Sequence, residues 1–150
     1  MTSDQAKAEI QERLGVAAAG ERGQLTVTVP VERWLDLARL AKDALGCLYF
    51  NFSTAVDWKD QGLEVVARVE NVVAALSLTM KTRLGPGETH CPSLVPIWRG
   101  AEWMERECYD MFGVRFDGHP DLRRILLGQD WEGHPLLKSY AVDTPHPPFR

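Results

Sequence analysis

The sequence has no long apolar run, and its first residues lack the features of a targeting peptide. A membrane-spanning helix needs about 18 or more consecutive apolar residues, and no stretch of the chain approaches that length. Residues 1–15 are polar and contain acids, unlike a signal peptide or an arginine-rich transit peptide. We therefore expect a protein that stays in the cytosol and reaches a membrane only through its partners.

Basic residues are in the minority. The chain has 17 lysines and arginines against 21 aspartates and glutamates, a formal net charge of -4. Binding of nucleic acid without sequence preference depends on clustered lysine and arginine side chains that face phosphates. We therefore expect no nucleic-acid partner.

Cysteine is scarce as well, with thiols only at Cys47, Cys91 and Cys108. They cannot all pair within one chain and none belongs to a C-x-x-C pair, which favours free thiols in a reducing compartment. Iron–sulfur clusters are usually held by a set of four cysteines, which this chain does not have. We expect no redox centre in this chain.

The spacing of apolar residues predicts regular elements over residues 1–84. Helical spacing predicts one helix that Ser3 caps and Gly15 ends. A second helix begins near Trp34 and ends near Gly46. Alternation of apolar and polar residues predicts strands at residues 25–29 and 76–84, and apolar runs predict strands at residues 48–52 and 63–69. The middle two strands form a hairpin.

These elements indicate an α+β fold, a two-layer sandwich of a mixed sheet with helices on one face. A chain of 150 residues suits a single domain. We assign residues 1–84 to the core and residues 85–150 to a further helix and an extended C-terminal tail of the same domain. The proline-rich end, residues 144–150, is typical of an extended segment.

Residues 101–112 predict a helix whose charged residues are not confined to one face. Glu102, Arg106 and Asp110 form a ladder at i, i+4 spacing, which on many helices is simply a solvated face. Trp103 lies on that charged side, and Glu105 lies at the edge of the apolar arc, where an unpaired carboxylate is costly. The alternative is therefore a surface that a partner buries.

Two catalytic interpretations of this helix are disfavoured. Glu105 and Glu107 would project about 160° apart, so they cannot act together on one substrate atom as an acid/base pair. A nucleophile built from Cys108 and His119 is disfavoured because Cys108 lies on the apolar arc, where a thiol packs as a small hydrophobe. We predict no catalytic residues.

A phrase of aromatic, acid, Gly, His, Pro, any residue, Leu and base occurs twice, at residues 116–123 and 131–138. Glycine permits a positive φ and proline fixes the exit of the turn, so both copies predict a tight turn. A zinc site from His119 and His134 is the alternative, but their spacing matches no standard ligand set. We favour a doubled docking turn.

Residues 103–140 resemble the C-type subunit of NADH:quinone oxidoreductase, respiratory complex I. The family signature is Glu-Arg-Glu, two residues, an acid, two apolar residues, six residues, His, three residues, Arg, one residue and an aliphatic. The chain meets it with Glu105-Arg106-Glu107, Asp110, Met111-Phe112, His119, Arg123 and Ile125. The likeness continues through residues 133–136 and 138–140, with Ser139 where the family usually has Asp.

The resemblance implies a structural subunit of a proton-translocating complex, peripheral on the cytoplasmic face of the inner membrane. It implies no catalytic, cofactor-binding or metal-binding residue in this chain. Flavin, iron–sulfur clusters and quinone would belong to partner subunits, and the tail would wrap the quinone-site and cluster-bearing neighbours. The alternative is the equivalent subunit of a related membrane-bound hydrogenase or deazaflavin-dependent dehydrogenase.

Ten residues of this region are predicted to bind partners, through ion pairs across a subunit boundary and the exposed tryptophan. They are Trp103, Glu105, Arg106, Glu107, Asp110, His119, Arg123, Arg124, His134 and Lys138.

Overall fold

The computed structural model describes residues 1–145, so most of the predicted proline-rich extension lies outside the described part. The helices are α1 (Ser3–Leu14), α2 (Trp34–Asp43) and α3 (Ala101–Phe112). Within residues 1–145 none of the helices is long and apolar enough to cross a membrane. The strands are β1 (Ala19–Glu21), β2 (Gln24–Thr28), β3 (Tyr49–Asp57), β4 (Leu63–Asn71), β5 (Leu76–Gly85), β6 (His90–Pro92) and β7 (Arg115–Asp117).

Five strands form one mixed sheet in the order β1-β2-β5-β4-β3. β2 runs parallel to β5, whereas β3 and β4, and β4 and β5, are antiparallel neighbours. The predicted hairpin is confirmed as β3 and β4, and both strands are longer than the apolar runs that predicted them. The short strand β1 was not predicted, because all of its residues are exposed and carry no alternation.

One face of the sheet carries the hydrophobic core. Alternate residues of β5 are buried, and all of them except Thr82 belong to the same cluster as buried apolar residues of all three helices. Trp34 of α2 is completely buried in this cluster. The predicted α+β sandwich, with helices on one face of a mixed sheet, is therefore confirmed.

Helix α1 begins one residue earlier than predicted, with Thr2 as its cap instead of Ser3. The Thr2 hydroxyl accepts from the Gln5 N–H at 3.3 Å, and the Gln5 side chain accepts from the Thr2 N–H at 2.8 Å, a capping box. The Ser3 hydroxyl instead accepts from the Gly23 N–H at 2.8 Å. This residue therefore ties the first helix to the start of β2.

The apolar core continues past residue 84. Leu94, Trp98 and Phe116 are buried in the same cluster, and α3 contributes Ala101 and Cys108 to it. Strands β6 and β7 flank α3 and pair in parallel. Three-residue strands are too short to show a period in the sequence, which is why this pair was not predicted.

Candidate partner-binding surface around helix α3

Helix α3 presents one face to the core and the other to the C-terminal segment. It ends at Gly113, whose φ of 76° suits a left-handed cap. Trp103 and Glu107 point outward, while Glu105 and Asp110 are both completely buried. Two inaccessible carboxylates on one twelve-residue helix require specific partners.

Glu105 finds its partners just before α3. The Ser93 hydroxyl and the Leu94 N–H each donate to one of its carboxylate oxygens, both at 2.6 Å. Burial raises the pKa of Glu105 to about 7, although both hydrogen bonds favour the ionised form. Glu105 therefore fastens the loop before α3 to the helix, and it finds its hydrogen-bond donors within the chain.

Burial disfavours the ionised form of all three cysteine thiols. It raises the pKa of Cys47 to about 11 and that of Cys108 to about 12, and it also raises the pKa of Cys91. In the metal-free chain, nucleophilic attack would need the thiolate, which burial disfavours at these positions. In the described part of the chain, no cluster of three or more His, Cys, Asp and Glu side chains could hold a metal ion.

Asp110 receives a turn of the C-terminal segment. One carboxylate oxygen accepts from the backbone N–H groups of Ile125, Leu126 and Leu127 at 3.1, 2.8 and 2.9 Å, and the other from the Arg124 guanidinium at 2.7 Å. Burial opposes ionisation, but Arg124 and the three amides outweigh it and hold the pKa of Asp110 below its ordinary value. The turn is an anion-binding nest filled by a side chain of the same protein.

Arg106, one helical turn before Asp110, holds the same turn. Its guanidinium donates to the backbone carbonyls of Arg123 and Arg124 at 3.1 and 3.0 Å. Arg106 thus satisfies the backbone carbonyls of residues 123 and 124, and Asp110 satisfies the backbone amides of residues 125–127. We call α3 residues Arg106 and Asp110, together with residues 123–127, the α3 clamp.

Both predicted turns dock on α3 itself. The ring of His119 donates from Nε2 to the Glu102 carbonyl, and the ring of His134 donates from Nδ1 to the Asp110 carbonyl, both at 2.9 Å. The glycines that precede them have φ values of 85° and 86°, as the turn requires. A Cβ added at Gly113 would lie 2.8 Å from the His134 ring, so this glycine makes room for the second turn.

The structure thus gives most of the ten predicted residues a use within the chain. Trp103 stays 69% exposed, and Leu126, which the sequence did not single out, is 61% exposed at the edge of the clamp. The exposed members of the predicted set are Trp103, Glu107, Arg123 and Lys138. Six of the ten form side-chain hydrogen bonds within the chain, namely Glu105, Arg106, Asp110, His119, Arg124 and His134. Arg123 also forms an exposed ion pair with Asp121.

The buried acids of α3 accept hydrogen bonds from the chain's own groups, and those bonds fasten neighbouring segments to the helix. The result is a surface formed by the outer side of α3 and the clamped turn. A surface with large exposed apolar side chains is typical of a protein–protein interface.

Residues 27–146 match the family model described as respiratory-chain NADH dehydrogenase, 30 Kd subunit. The C-type subunit of the NADH-quinone oxidoreductase of Rhodobacter capsulatus is 40% identical over 141 residues, covering 88% of this chain and 69% of that protein. The corresponding protein of Geobacter sulfurreducens is 37% identical over 127 residues, covering 83% of this chain and 78% of that protein.

Solved structures share the fold. A trypsin-resistant fragment of Nqo5 superposes with a TM-score of 0.63 at 24% identity, covering 79% of this chain and 95% of the fragment. A chain of the membrane-bound sulfane sulfur reductase, an archaeal respiratory membrane complex, superposes with a TM-score of 0.66 at 28% identity, covering 77% of this chain and 70% of that chain. From the family match and these relatives, the chain belongs to the family of the 30 Kd subunit of respiratory-chain NADH dehydrogenase.

Proposed function

We propose that the chain is the C-type subunit of a proton-translocating NADH:quinone oxidoreductase, and that it supports electron transfer without carrying a redox centre. Its membership of the 30 Kd family and its 40% identity with the Rhodobacter capsulatus protein carry the first part. The second part, support without a redox centre, rests on the contacts that the signature residues make. The buried acids and bases of α3 hold the chain's own loops, so they build a surface and do not perform chemistry.

The same residues make that surface stiff. A preformed surface loses less conformational entropy when a partner binds, so it binds more tightly than a flexible one of equal area. Trp103 and Leu126 are the large apolar side chains beside the clamp, and tryptophan is prominent among residues that dominate interface energies. We assign them to the centre of the interface, with Glu107, Arg123 and Lys138 at its polar rim.

The neighbours in this proposal are the quinone-site and cluster-bearing subunits, which hold the quinone, iron–sulfur clusters and flavin of the complex. The chain lies on the cytoplasmic face of the inner membrane and contacts the membrane only through them. The chain has three cysteines, fewer than the four that usually hold an iron–sulfur cluster, which supports the assignment of the clusters to other subunits.

The isolated chain is expected to be colourless and inactive. Purified protein should show no absorption above the aromatic band, contain no stoichiometric iron or zinc, and oxidise no NADH. Absorption spectra, metal analysis and an NADH oxidation assay measure these properties. Bound iron, or NADH turnover that follows the chain through purification, would contradict the proposal.

Substituting both Trp103→Ala and Leu126→Ala is expected to lower the amount of intact complex while leaving its chemistry unchanged. Truncating an interface hot spot costs about 2 kcal/mol or more, which is roughly a thirtyfold loss of affinity. Native gels measure the assembled complex, and NADH:quinone activity per mole of flavin measures turnover, which should stay within about threefold of normal because removing an acid/base group costs about a hundredfold or more.

Arg39 supplies the control for these variants. It is exposed on α2, where its neighbours include Leu14, Asp36 and Asp43, none of which belongs to the proposed interface. Arg39→Ala should therefore leave the amount of complex nearly unchanged. Normal assembly of the Trp103 and Leu126 variant together with a hundredfold loss of turnover would overturn the scaffold role.

A further inference from the structure

A concave surface lies just before α3 in the chain, separate from the α3 clamp. It is a cavity of about 400 Å³ between the loop that follows α2 and the segment that leads into α3. The rings of Phe50 and Trp98 form its floor, with their centroids 5.8 Å apart. Leu48, Tyr49 and Ile97 line its sides. We call this concavity the α3-entry groove.

The loops beside the groove expose large apolar side chains. Leu48 is 72% exposed and Tyr49 is 54% exposed, while Val72 and Val73 in the β4–β5 turn are 71% and 100% exposed. Turns of this kind normally carry polar residues, glycine or proline. Tyr49 pairs with Glu70 in the sheet, so the β4–β5 turn lies at the same end of the sheet as the groove.

These exposed side chains are held in place. The Asn71 side chain donates to the Leu45 carbonyl at 2.9 Å and accepts from the Ala74 N–H at 3.0 Å. Asn71 therefore joins the β4–β5 turn to the loop that carries Leu48. A preformed apolar surface of this kind costs little entropy to bury against a partner.

The groove is positively charged at its rim. Lys42 and Arg99 line it, and among the described residues no carboxylate does. The Lys42 ammonium donates to the Ile97 carbonyl, which leaves further protons free. Within residues 1–145 neither cation forms an ion pair, although the chain as a whole is negatively charged. Such a rim complements a negatively charged partner.

We infer that the α3-entry groove is a second docking surface, occupied by a segment of another subunit that sets an apolar side chain on Phe50 and Trp98 and a carboxylate against Arg99 and Lys42. Two cations are too few to hold a protein on an anionic membrane, and the recessed aromatic floor suits a side chain. This inference rests on the proposed function, because the occupant belongs to the same complex.

Charge reversal in the intact complex tests the rim. A tagged full-length chain is purified with its complex, and the ratio of chain to flavin is followed as the salt concentration rises. Arg99→Glu and Leu48→Asp should each lower the retained chain by about tenfold, the effect of losing one good contact. Arg39→Glu makes the same charge change at an exposed position of α2, beside Asp36 and Asp43, and should change retention less than twofold.

Cross-linking identifies the occupant without disturbing the rim. Leu48→p-benzoylphenylalanine should cross-link to a peptide of another subunit that contains Asp or Glu next to an apolar residue. Changing that acid to Arg should restore retention of the Arg99→Glu chain. A cross-link only to a second copy of this chain, or only to lipid, would overturn the inference, as would equal losses for Arg39→Glu and Arg99→Glu.

The two proposals fail in different ways. A wild-type chain that is absent from the purified complex would end the proposed function and this inference together. A wild-type chain that is present, with Arg99→Glu and Leu48→Asp retained as well as wild type, would end this inference alone.

Discussion

Replacing Asp110 with alanine is expected to release residues 124–127 from α3 and to lower the free energy of unfolding by about 3–5 kcal/mol. The substitution leaves three backbone amides without an acceptor and an Arg124 side chain, only 10% exposed, without its carboxylate. Asp110→Asn should cost less, about 2 kcal/mol, because the amide keeps one acceptor but turns two donors toward other donors.

Denaturant unfolding measures this loss, and hydrogen exchange locates it. The amides of Ile125, Leu126 and Leu127 should be protected in the wild-type chain and should exchange quickly in Asp110→Ala. Glu132→Ala removes an exposed carboxylate from the same segment and should change stability by less than about 0.5 kcal/mol. Undiminished protection of the three amides in Asp110→Ala would show that Asp110 does not hold the turn.

Glu105→Ala is expected to cost about 3 kcal/mol or more, whereas Glu107→Ala should cost less than about 0.5 kcal/mol. The two glutamates occupy the same helix, but only Glu105 is buried and accepts from Ser93 and Leu94. Its removal leaves a backbone amide without an acceptor and opens a cavity in the core. Equal losses for the two variants in denaturant unfolding would contradict this account.

The pH dependence of stability distinguishes Glu105 from its glutamine variant, Glu105→Gln. Since the folded-state pKa of Glu105 is about 7 against an ordinary 4.5, its contribution to stability is complete below the ordinary value and is lost as the pH rises through 7. The loss amounts to about 3 kcal/mol, at about 1.4 kcal/mol for each pH unit between the two values. Glu105→Gln removes the charge and keeps one acceptor oxygen for the Leu94 N–H, while the Ser93 hydroxyl can rotate to accept from the new NH2 group.

We therefore expect the stability of wild type relative to Glu105→Gln to fall by about that amount between pH 5 and pH 8, in unfolding experiments at each pH. A constant difference would mean that Glu105 is ionised throughout. Asp110 behaves in the opposite sense, because its pKa is lowered: its contribution is present above the ordinary value for aspartate and is lost in stronger acid.

The sequence predicts the sheet and helices well because the alternation of β5 and the helical spacing of α2 are each set by one buried face. The contacts of α3 are less predictable. The repeated Gly-His-Pro phrase predicts two turns with a positive φ, and both are present, but nothing in the phrase says that they dock on the chain's own helix.

The contacts of α3 are hard to predict largely because many of them involve backbone groups. Asp110 binds three backbone amides, and Arg106 binds two backbone carbonyls, which leave no trace in the pattern of side chains. The partners of Glu105 lie 11 and 12 residues upstream, beyond the reach of helical periodicity. A buried carboxylate at the edge of an apolar arc therefore indicates that a partner exists, but the fold decides whether that partner belongs to the same chain.

The α3 clamp also constrains the order of events during synthesis. Asp110 leaves the ribosome 14 to 17 residues before the guanidinium and amides that it binds. Until those residues follow, α3 carries a carboxylate and a guanidinium, Arg106, whose final partners do not yet exist. The side of the helix that carries Arg106 and Asp110 thus stays hydrated in the nascent chain until residues 123–127 have emerged and cover it.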